Sequence, residues 1–370
     1  MSASEALAEK IRRLGESGEF RTYERVREKV LALKDLEAYS PPSGTGAPSD
    51  YWREELENFE YLLDASPLVV SRLRHHSYHV TGLRTHDYRS NRDEARRQLA
   101  EKLAALVELG GRDLLVPEPR ILGGFGFEID GGLYNVDTLK FYEALVALEK
   151  GAVLGGLRGG GERRVVWEIG AGWGGFAYQL KTLCPNVTYI ISDFPELFLF
   201  SAVYLMTAFP YATFAFPGVE PAWSAPGRWP EADFIFIANT QAGAVAPPRL
   251  DLAVNMVSFQ EMTGEQVRDY VTRVHDLKCP FLYSLNRDRS PYNTQLSSVS
   301  AIIDTRFWIH EVEVLPVNYT KMMDKVPAAI QKKAKAAARE TEGKPEKPQA
   351  AGARADLDYR HLIGWRRVKV

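Results

Sequence analysis

The sequence contains little cysteine and almost no net charge. Only two cysteines, Cys184 and Cys279, occur among 370 residues, far apart and in apolar strand-like segments, which argues against a disulfide framework or a cysteine metal site. The 46 basic and 48 acidic residues give a formal net charge of −2, so we do not expect the molecule to bind nucleic acid. A hydrophobic content of 45% is sufficient for a globular core.

Long apolar runs are also missing. The longest nearly apolar stretch, Phe198 to Phe209, is only about half of the ~20 residues that a membrane-spanning helix needs. The N-terminal segment MSASEALAEKIRRLGESGEF mixes charged with apolar residues and lacks the apolar core of a signal peptide. We therefore expect a cytoplasmic protein that does not associate with membranes.

The pattern of apolar residues divides the chain in two. Helical spacing dominates residues 1–118, which we expect to form a helical N-terminal region. In residues 119–370 continuous apolar runs alternate with helical segments, which predicts a Rossmann-like α/β domain with a mostly parallel sheet. The predicted strands are VVWEIG, TYIISDF, DFIFIAN, LDLAVNMVSF and PFLYSLN.

The C-terminal part of the chain contains two further features. Residues 328–355 are rich in alanine, lysine, glutamate and proline and nearly lack large apolar side chains, so they are predicted to form a flexible insertion. The segment HLIGWRRVKV that ends the sequence is expected to return to the sheet as an edge strand.

A glycine-rich motif follows the first predicted strand. In VVWEIGAGWGGFAYQL, Glu168 precedes a turn that contains Gly170, Ala171, Gly172 and Trp173, and a helix begins directly after it. Glycine allows a tight turn whose backbone can contact a ligand, and the helix N-terminus offers free N–H groups to a carboxylate or phosphate. The E-x-G-x-G-x-G pattern predicts a nucleotide-derived cofactor at this turn.

The same residues allow a second interpretation. Gly170, Gly172 and Gly175 satisfy G-x-G-x-x-G, the pattern of NAD(P)-dependent reductases. Glu168 argues against this alternative, because an anion at that position would repel a pyrophosphate but would suit a cationic amino group. The sequence also lacks a Tyr-x-x-x-Lys pair after the fourth strand.

The ends of the next two strands supply further cofactor candidates. Asp193 closes the second strand and is followed by Phe194; an acid at this position can accept both hydroxyls of a ribose. The alternative is that Asp193 caps the helix that begins near Pro195. Asn239 and Gln241 follow the third strand and are expected to contact the adenine ring.

Six segments between roughly residues 50 and 325 resemble the bacterial sugar O-methyltransferases. The segments are RHHSYHVTG, GGFGFEIDGGLYNVDTLKFYEAL, EIGAGWGGFAYQL, SDFPELFLFSAVYL, NMVSFQEM and SLN. The resemblance implies the class I methyltransferase fold and S-adenosylmethionine as methyl donor. It places the methionine end of the cofactor against Glu168, Gly170 and Gly172, and the ribose on Asp193. It leaves open whether the acceptor hydroxyl belongs to a sugar, to a glycosylated metabolite or to another small molecule.

Methylation of a hydroxyl requires a base that removes its proton as the oxygen attacks. Glu261, just past the fourth strand, is the first candidate; alternatively it is a first-turn acid of the helix that begins near Thr263. His75 and His76 are the second candidates. Together with His79 they could form a metal cluster, but partner carboxylates at helical spacing are missing, so no metal is predicted.

The acceptor site is predicted from residues near the sheet edge. Asn286, Arg287 and Asp288 follow the strand PFLYSLN and could hydrogen-bond a small-molecule or glycan acceptor; alternatively they form a loop salt-bridge network. Tyr134 could stack on a sugar ring, although most aromatic residues belong to the core. A non-catalytic cofactor-binding subunit, with the N-terminal helices as the surface of a homo-oligomer, remains open.

Overall fold

The N-terminal part of the chain is helical in the computed structural model, which describes residues 1–39, 42, 46–159, 161–220, 229–289, 293, 295–296, 298–315 and 358–368. The insertion predicted at 328–355 lies outside the described residues. The first helices are α1 (Ala3–Gly15), α2 (Gly18–Tyr39), α3 (Asp50–Glu57), α4 (Pro67–Val70), α5 (Leu73–His76), α6 (Tyr78–Thr81) and α7 (Asp93–Gly110). The predicted helical N-terminal region is confirmed.

Local sequence signals explain where several of these helices begin. Ser2 caps α1 in a capping box with Glu5, and Ser49 accepts a hydrogen bond from the backbone N–H of Trp52 at the start of α3. Helix α2 buries one stripe of side chains at helical spacing, namely Thr22, Tyr23, Val26, Val30 and Leu33.

A short hairpin and two helices join this region to the central sheet. They are β1 (Phe127–Ile129), β2 (Gly132–Tyr134), α8 (Val136–Lys150) and α9 (Leu154–Arg158). Asn135 caps α8 by accepting a hydrogen bond from the backbone N–H of Thr138 at 3.0 Å. Most of the first three turns of α8 are buried, because this helix lies between α7, α10 and the sheet.

The described part of the central sheet has the strand order β5-β6-β4-β3-β7-β8-β10-β9. Its strands are β3 (Arg164–Ile169), β4 (Val187–Asp193), β5 (Phe214–Ala215), β6 (Phe234–Ala238), β7 (Leu252–Met256), β8 (Phe281–Asn286), β9 (Phe307–Glu311) and β10 (Arg360–Arg366). Strands β3 to β8 pair in parallel, whereas β10 runs antiparallel to both β8 and β9. The predicted α/β fold with a mostly parallel sheet is confirmed.

The expectation that the C-terminal segment forms an edge strand is wrong. Strand β10 lies inside the sheet, with Ile363 opposite Tyr283 of β8 and opposite His310 of β9. Its residues Leu362 and Ile363 are buried on the two faces. This burial is possible because β9 covers the far side of β10, so β9 forms the edge.

Helices cover both faces of the sheet. These are α10 (Gly175–Leu183), α11 (Phe198–Ala208), α12 (Gly264–Asp276) and α13 (Val299–Asp304). Helices α8, α10 and α11 pack on one face together with the N-terminal helices, while α12 and α13 pack on the other. The parallel strands end at one edge of the sheet, and the chain order reverses between β3 and β7, which is where open α/β sheets bind ligands. Among the described helices, none has the length and apolar character that crossing a bilayer requires.

Candidate active site

The turn after β3 is built from residues in left-handed backbone conformations. Gly170 has φ 74° and Gly172 has φ 57°, a region in which a side chain is strained. A Cβ at Gly170 would collide with the Ser258 hydroxyl, and one at Gly172 would lie 2.9 Å from Cγ1 of Val80. Side-chain-free residues are therefore required here, because the loop after β7 and helix α6 both approach the turn closely.

Glu168 lies directly below this turn and is buried, with only 1% of its surface exposed. The hydroxyl of Tyr189 donates a hydrogen bond of 2.8 Å to its Oε2 atom. Burial raises the pKa of the Glu168 carboxyl to about 8; the Tyr189 hydrogen bond opposes this rise and the neighbouring Asp193 adds to it. A cation bound at this carboxyl would favour its ionised form and return its pKa toward the ordinary range.

Asp193 joins the end of β4 to the glycine turn. Its Oδ2 accepts a hydrogen bond from the backbone N–H of Gly172, and its Oδ1 accepts one from that of Phe194, both at 2.9 Å. Burial raises its pKa to about 7 despite these bonds. The following short helix has Phe194 as its cap and no side-chain capping bond, so Asp193 does not cap it. A carboxylate can accept about four hydrogen bonds, which leaves capacity for a ligand.

Asn239 and Gln241 differ in what their side chains contact. The Asn239 Nδ2 group donates a 2.9 Å hydrogen bond to the Gly46 carbonyl, whereas its Oδ1 atom is buried and has no hydrogen-bond partner. Gln241 lies against Gly218, where any Cβ would collide with its amide. Of the two, Asn239 therefore presents an unsatisfied acceptor beyond the end of β6, and Gln241 packs on the loop after β5.

Glu261 lies in a short turn, Phe259–Glu261, after β7. Helix α12 begins three residues later with Thr263 as its cap and Glu265 as its first-turn acid, so Glu261 is outside that helix. Although part of the residue reaches the surface, its carboxyl is enclosed by protein. This burial raises its pKa to about 8, a hydrogen bond from Trp52 lowers it, and Asp193 raises it.

Trp52 of α3 is a site residue that the sequence analysis missed. Its indole N–H donates a 3.1 Å hydrogen bond to Oε2 of Glu261, and its ring packs on Phe194 with 5.4 Å between the ring centroids. The side chain of Gln266 also donates to the Ala47 carbonyl at 2.7 Å. Residues 46–52 thus cross the carboxyl edge of the sheet. The sequence of α3 reads as an ordinary amphipathic helix, so no local signal marks Trp52.

Trp173 has a framework role rather than an open face. Its indole N–H donates a hydrogen bond of 3.0 Å to Oδ2 of Asp137. The Arg74 guanidinium lies 3.7 Å from the centre of the indole ring. Arg74 also pairs with Asp137 and with Glu118 at 3.1 Å each, and all three side chains are almost fully buried. Through this cluster, helix α5 and helix α8 fix the glycine turn.

The structure does not bring His75 or His76 to the carboxylates. The ring of His75 packs beside Gly123 and edge-on against Phe125, and Nδ1 of His76 lies 2.8 Å from the Tyr61 hydroxyl. Burial lowers the pKa of both imidazoles, so they are neutral at pH 7. Within the described residues no group of three or more histidine, cysteine, aspartate or glutamate side chains could hold a metal ion.

Two of the four predicted acceptor residues use their polar atoms in hydrogen bonds inside the fold, and a third, Tyr134, is buried in a hairpin. Asn286 is buried, and its Nδ2 group donates a hydrogen bond of 2.9 Å to Oδ1 of Asn255. Asp288 accepts a 2.6 Å bond from Arg360 and another from the Ser300 backbone. The Tyr134 hydroxyl lies back over Gly132 in the β1–β2 hairpin. These three side chains therefore stabilise the fold at the positions where acceptor contact was expected.

Arg287 is the exception among the predicted acceptor residues. It is partly buried, and its guanidinium carbon lies 4.5 Å from the centre of the Tyr359 ring. Its Nε atom is buried and has no hydrogen-bond partner. Arg287 therefore retains donors that could contact a ligand.

The carboxyl groups at the ends of three strands lie close enough to interact electrostatically. Asp193 raises the pKa of both Glu168 and Glu261, and Lys140 of α8 lowers the pKa of both. Lys140 is itself paired with Asp137 at 2.9 Å. A cationic ligand beside the glycine turn would favour the ionised forms of these carboxyls, which burial and mutual repulsion otherwise disfavour.

No family model and no curated protein matches the chain. Among solved structures, the chain is similar to a precorrin-6y C5,15-methyltransferase from Geobacter metallireducens, with 12% identity over 59% of this chain and 87% of that one and a TM-score of 0.33. It is also similar to the YcgJ protein from Bacillus subtilis, with 15% identity, 59% and 98% coverage and a TM-score of 0.36. A third similar structure is the Haemonchus contortus phosphoethanolamine N-methyltransferase 2, solved with S-adenosylhomocysteine. It has 10% identity over 59% of this chain and 52% of that one, and a TM-score of 0.34. At these TM-scores the likeness assigns no residue role.

Proposed function

We propose that the protein is an S-adenosylmethionine-dependent O-methyltransferase whose acceptor hydroxyl belongs to a sugar or a glycosylated metabolite. The observation that carries the proposal is the buried Glu168 carboxyl beside a turn that admits no side chains, at a site where a bound cation would favour the ionised carboxylate. S-adenosylmethionine carries a positive sulfonium and a positive amino group, so its charge complements this crevice. The sugar as acceptor rests on the sequence resemblance.

The residues at the site fit the parts of this cofactor. Glu168 would hold the amino group, and Lys140 with the N-terminus of α10 would face the methionine carboxylate. Asp193 has acceptor capacity for the two ribose hydroxyls. The unpartnered Oδ1 of Asn239 would accept a hydrogen bond from the adenine amino group, which removes the cost of a buried unsatisfied acceptor.

When bound, the cofactor supplies an electrophilic methyl group. Glu261 would accept the proton of the acceptor hydroxyl while the oxygen–methyl bond forms and the sulfur–methyl bond breaks. Its raised pKa makes the ionised carboxylate a stronger base than an ordinary glutamate. Trp52 would hold this carboxylate in place through its indole N–H and would exclude water from above.

The NAD(P)-dependent reductase has less support. Dinucleotide-binding sheets have the order 3-2-1-4-5-6, whereas here the antiparallel β10 is inserted between β8 and β9. The buried Glu168 would also oppose a pyrophosphate at the turn.

A thermal-shift comparison separates these two functions. S-adenosylhomocysteine at about 100 times its Kd should stabilise the protein by about 2.7 kcal/mol, because it binds only the folded state; NADH should leave the melting temperature unchanged. The variant Asp193→Ala should weaken S-adenosylhomocysteine binding measured by calorimetry. Stabilisation by NADH alone would support the reductase instead.

The acceptor is tested with S-adenosylmethionine and a panel of nucleotide-activated sugars, glycosides and phenols, with formation of S-adenosylhomocysteine as the readout. We expect turnover with sugars. Turnover with phenols alone would contradict the sugar acceptor and leave O-methyl transfer intact.

A further inference from the structure

Arg287 carries a positive charge for which the described residues offer no carboxylate. It follows β8 directly, and its backbone N–H donates a hydrogen bond of 3.0 Å to Oε1 of Gln260. Its guanidinium lies on the Tyr359 ring, and its Nε–H is buried without a partner. The neighbouring Asp288 is not available to it, because Asp288 is paired with Arg360 at 2.6 Å.

An unpartnered guanidinium N–H in protein surroundings is costly. A buried donor of a charged group that lacks a hydrogen bond costs more free energy than a neutral one. The guanidinium is planar and presents parallel N–H groups, a geometry that matches the paired oxygens of a carboxylate or phosphate. Stacking on Tyr359 fixes this plane, so fewer side-chain conformations are lost when an anion binds.

Contacts place Arg287 in the same corner of the crevice as Glu261. Gln260 immediately precedes Glu261, and its Nε2 group donates a hydrogen bond of 3.1 Å to the Tyr359 hydroxyl. Burial raises the pKa of the Tyr51 phenol, and both Glu261 and Tyr359 raise it further, so Tyr51 lies near both. Tyr51 and Tyr359 therefore connect the proposed base to the Arg287 guanidinium, which lies on the Tyr359 ring.

We infer that Arg287 binds an oxyanion carried by the methyl acceptor, a phosphate or a carboxylate. This inference rests on the proposed function and names its substrate class: an acidic sugar or a sugar phosphate rather than a neutral sugar. The charges of Arg287 and Glu261 would orient such an acceptor. The anion contacts Arg287, and the neutral hydroxyl contacts the carboxylate of Glu261, which repels the anion.

Three probes test the inference on the full chain saturated with S-adenosylhomocysteine: UDP-glucose, glucuronate and the neutral methyl glucoside, each titrated by calorimetry. At least one anionic probe should bind at least about tenfold more tightly than methyl glucoside, as expected for a hydrogen bond to a charged group. A preference for UDP-glucose identifies phosphate as the anion, and a preference for glucuronate identifies carboxylate.

Two arginine variants supply the controls. Arg287→Gln should abolish the preference for the anion, leave the affinity for S-adenosylhomocysteine unchanged and not lower the melting temperature. Arg289→Gln removes an exposed positive charge from the same loop and should preserve the preference. Equal affinity for anionic and neutral probes, absence of anion binding, or an unchanged preference in Arg287→Gln would overturn the inference.

The proposed function fails separately. If the wild-type protein does not bind S-adenosylhomocysteine, methyl transfer is wrong, and the same anion titrations on the unloaded protein still report on Arg287.

Discussion

Glu168, Asp193 and Glu261 come from three different strand ends, yet burial raises the pKa of each above its ordinary value. Groups of one charge sign that are buried together destabilise each other's ionised forms, and such arrangements concentrate at functional sites. The sequence predicted all three residues because each lies at or just beyond the carboxyl end of a recognisable strand. It could not predict that Trp52 contacts Glu261, since the two are far apart along the chain.

The variant Glu261→Gln tests the base. It keeps the shape of the side chain and an acceptor for the Trp52 indole but cannot take a proton, so turnover with the best acceptor should fall by about 10²–10⁴-fold. Calorimetry with S-adenosylhomocysteine should give an unchanged affinity. Glu265→Gln, in the first turn of α12, is the matched control and should retain full activity. Near-normal turnover of Glu261→Gln would remove Glu261 as the base.

At the scale of elements, the segment 46–52 together with α3 covers the carboxyl edge of the sheet. Gly46 contacts Asn239 after β6, and Trp52 contacts Glu261 after β7 and Phe194 after β4. Helix α6 adds Val80 over the glycine turn. The N-terminal region is therefore part of the candidate site, and its contacts enclose the region where the methyl would be transferred.

The variant Trp52→Phe isolates the indole hydrogen bond. The ring can still pack on Phe194, but the donor that lowers the pKa of Glu261 is lost. The acid limb of the kcat/KM profile should therefore move to higher pH, because a larger pKa requires a higher pH for ionisation. Trp308→Phe, at a side chain that is 63% exposed, should leave the profile unchanged. An unshifted profile in Trp52→Phe would show that this bond does not tune the base.

The elements themselves were predictable to different degrees. Continuous apolar runs and the glycine turn predicted strands β3, β4, β6, β7 and β8 and the start of α10, since these signals are local; the two-residue strand β5 was not predicted. The position of β10 was not predictable in this way, because it depends on pairing with β8 and β9. Likewise, Arg74 gives no sign in the sequence that it pairs with Glu118 and Asp137, which follow much later in the chain.

At the scale of the whole molecule, one hydrophobic cluster joins the N-terminal helices to the sheet. It includes Val26 and Val30 of α2, Leu103 of α7, and Tyr189 and Val254 of the sheet. Loss of packing in one part should therefore weaken the other. Stability should also respond to pH through the buried carboxyls.

The sign of this response follows from the direction of the pKa shifts. Glu168 has a folded-state pKa of about 8 against an ordinary value of 4.5, so the folded protein binds the proton more tightly than the unfolded chain. The free energy of unfolding should then fall as pH rises from about 5 to about 8. Urea unfolding at several pH values measures this slope. Glu168→Gln should make this slope shallower, since Asp193 and Glu261 still contribute to it, and a slope that does not change in this variant would show that Glu168 stays ionised in the fold.

The inserted position of β10 governs the order in which the sheet can be completed. During synthesis β9 leaves the ribosome well before β10, yet among the described strands it pairs with β10 and not with β8. Until β10 arrives, the flanks of β8 and β9 that pair with it lack these hydrogen-bond partners. The nascent chain is thus exposed to mispairing late in its synthesis, and shortening the C-terminus would detach two strands rather than one.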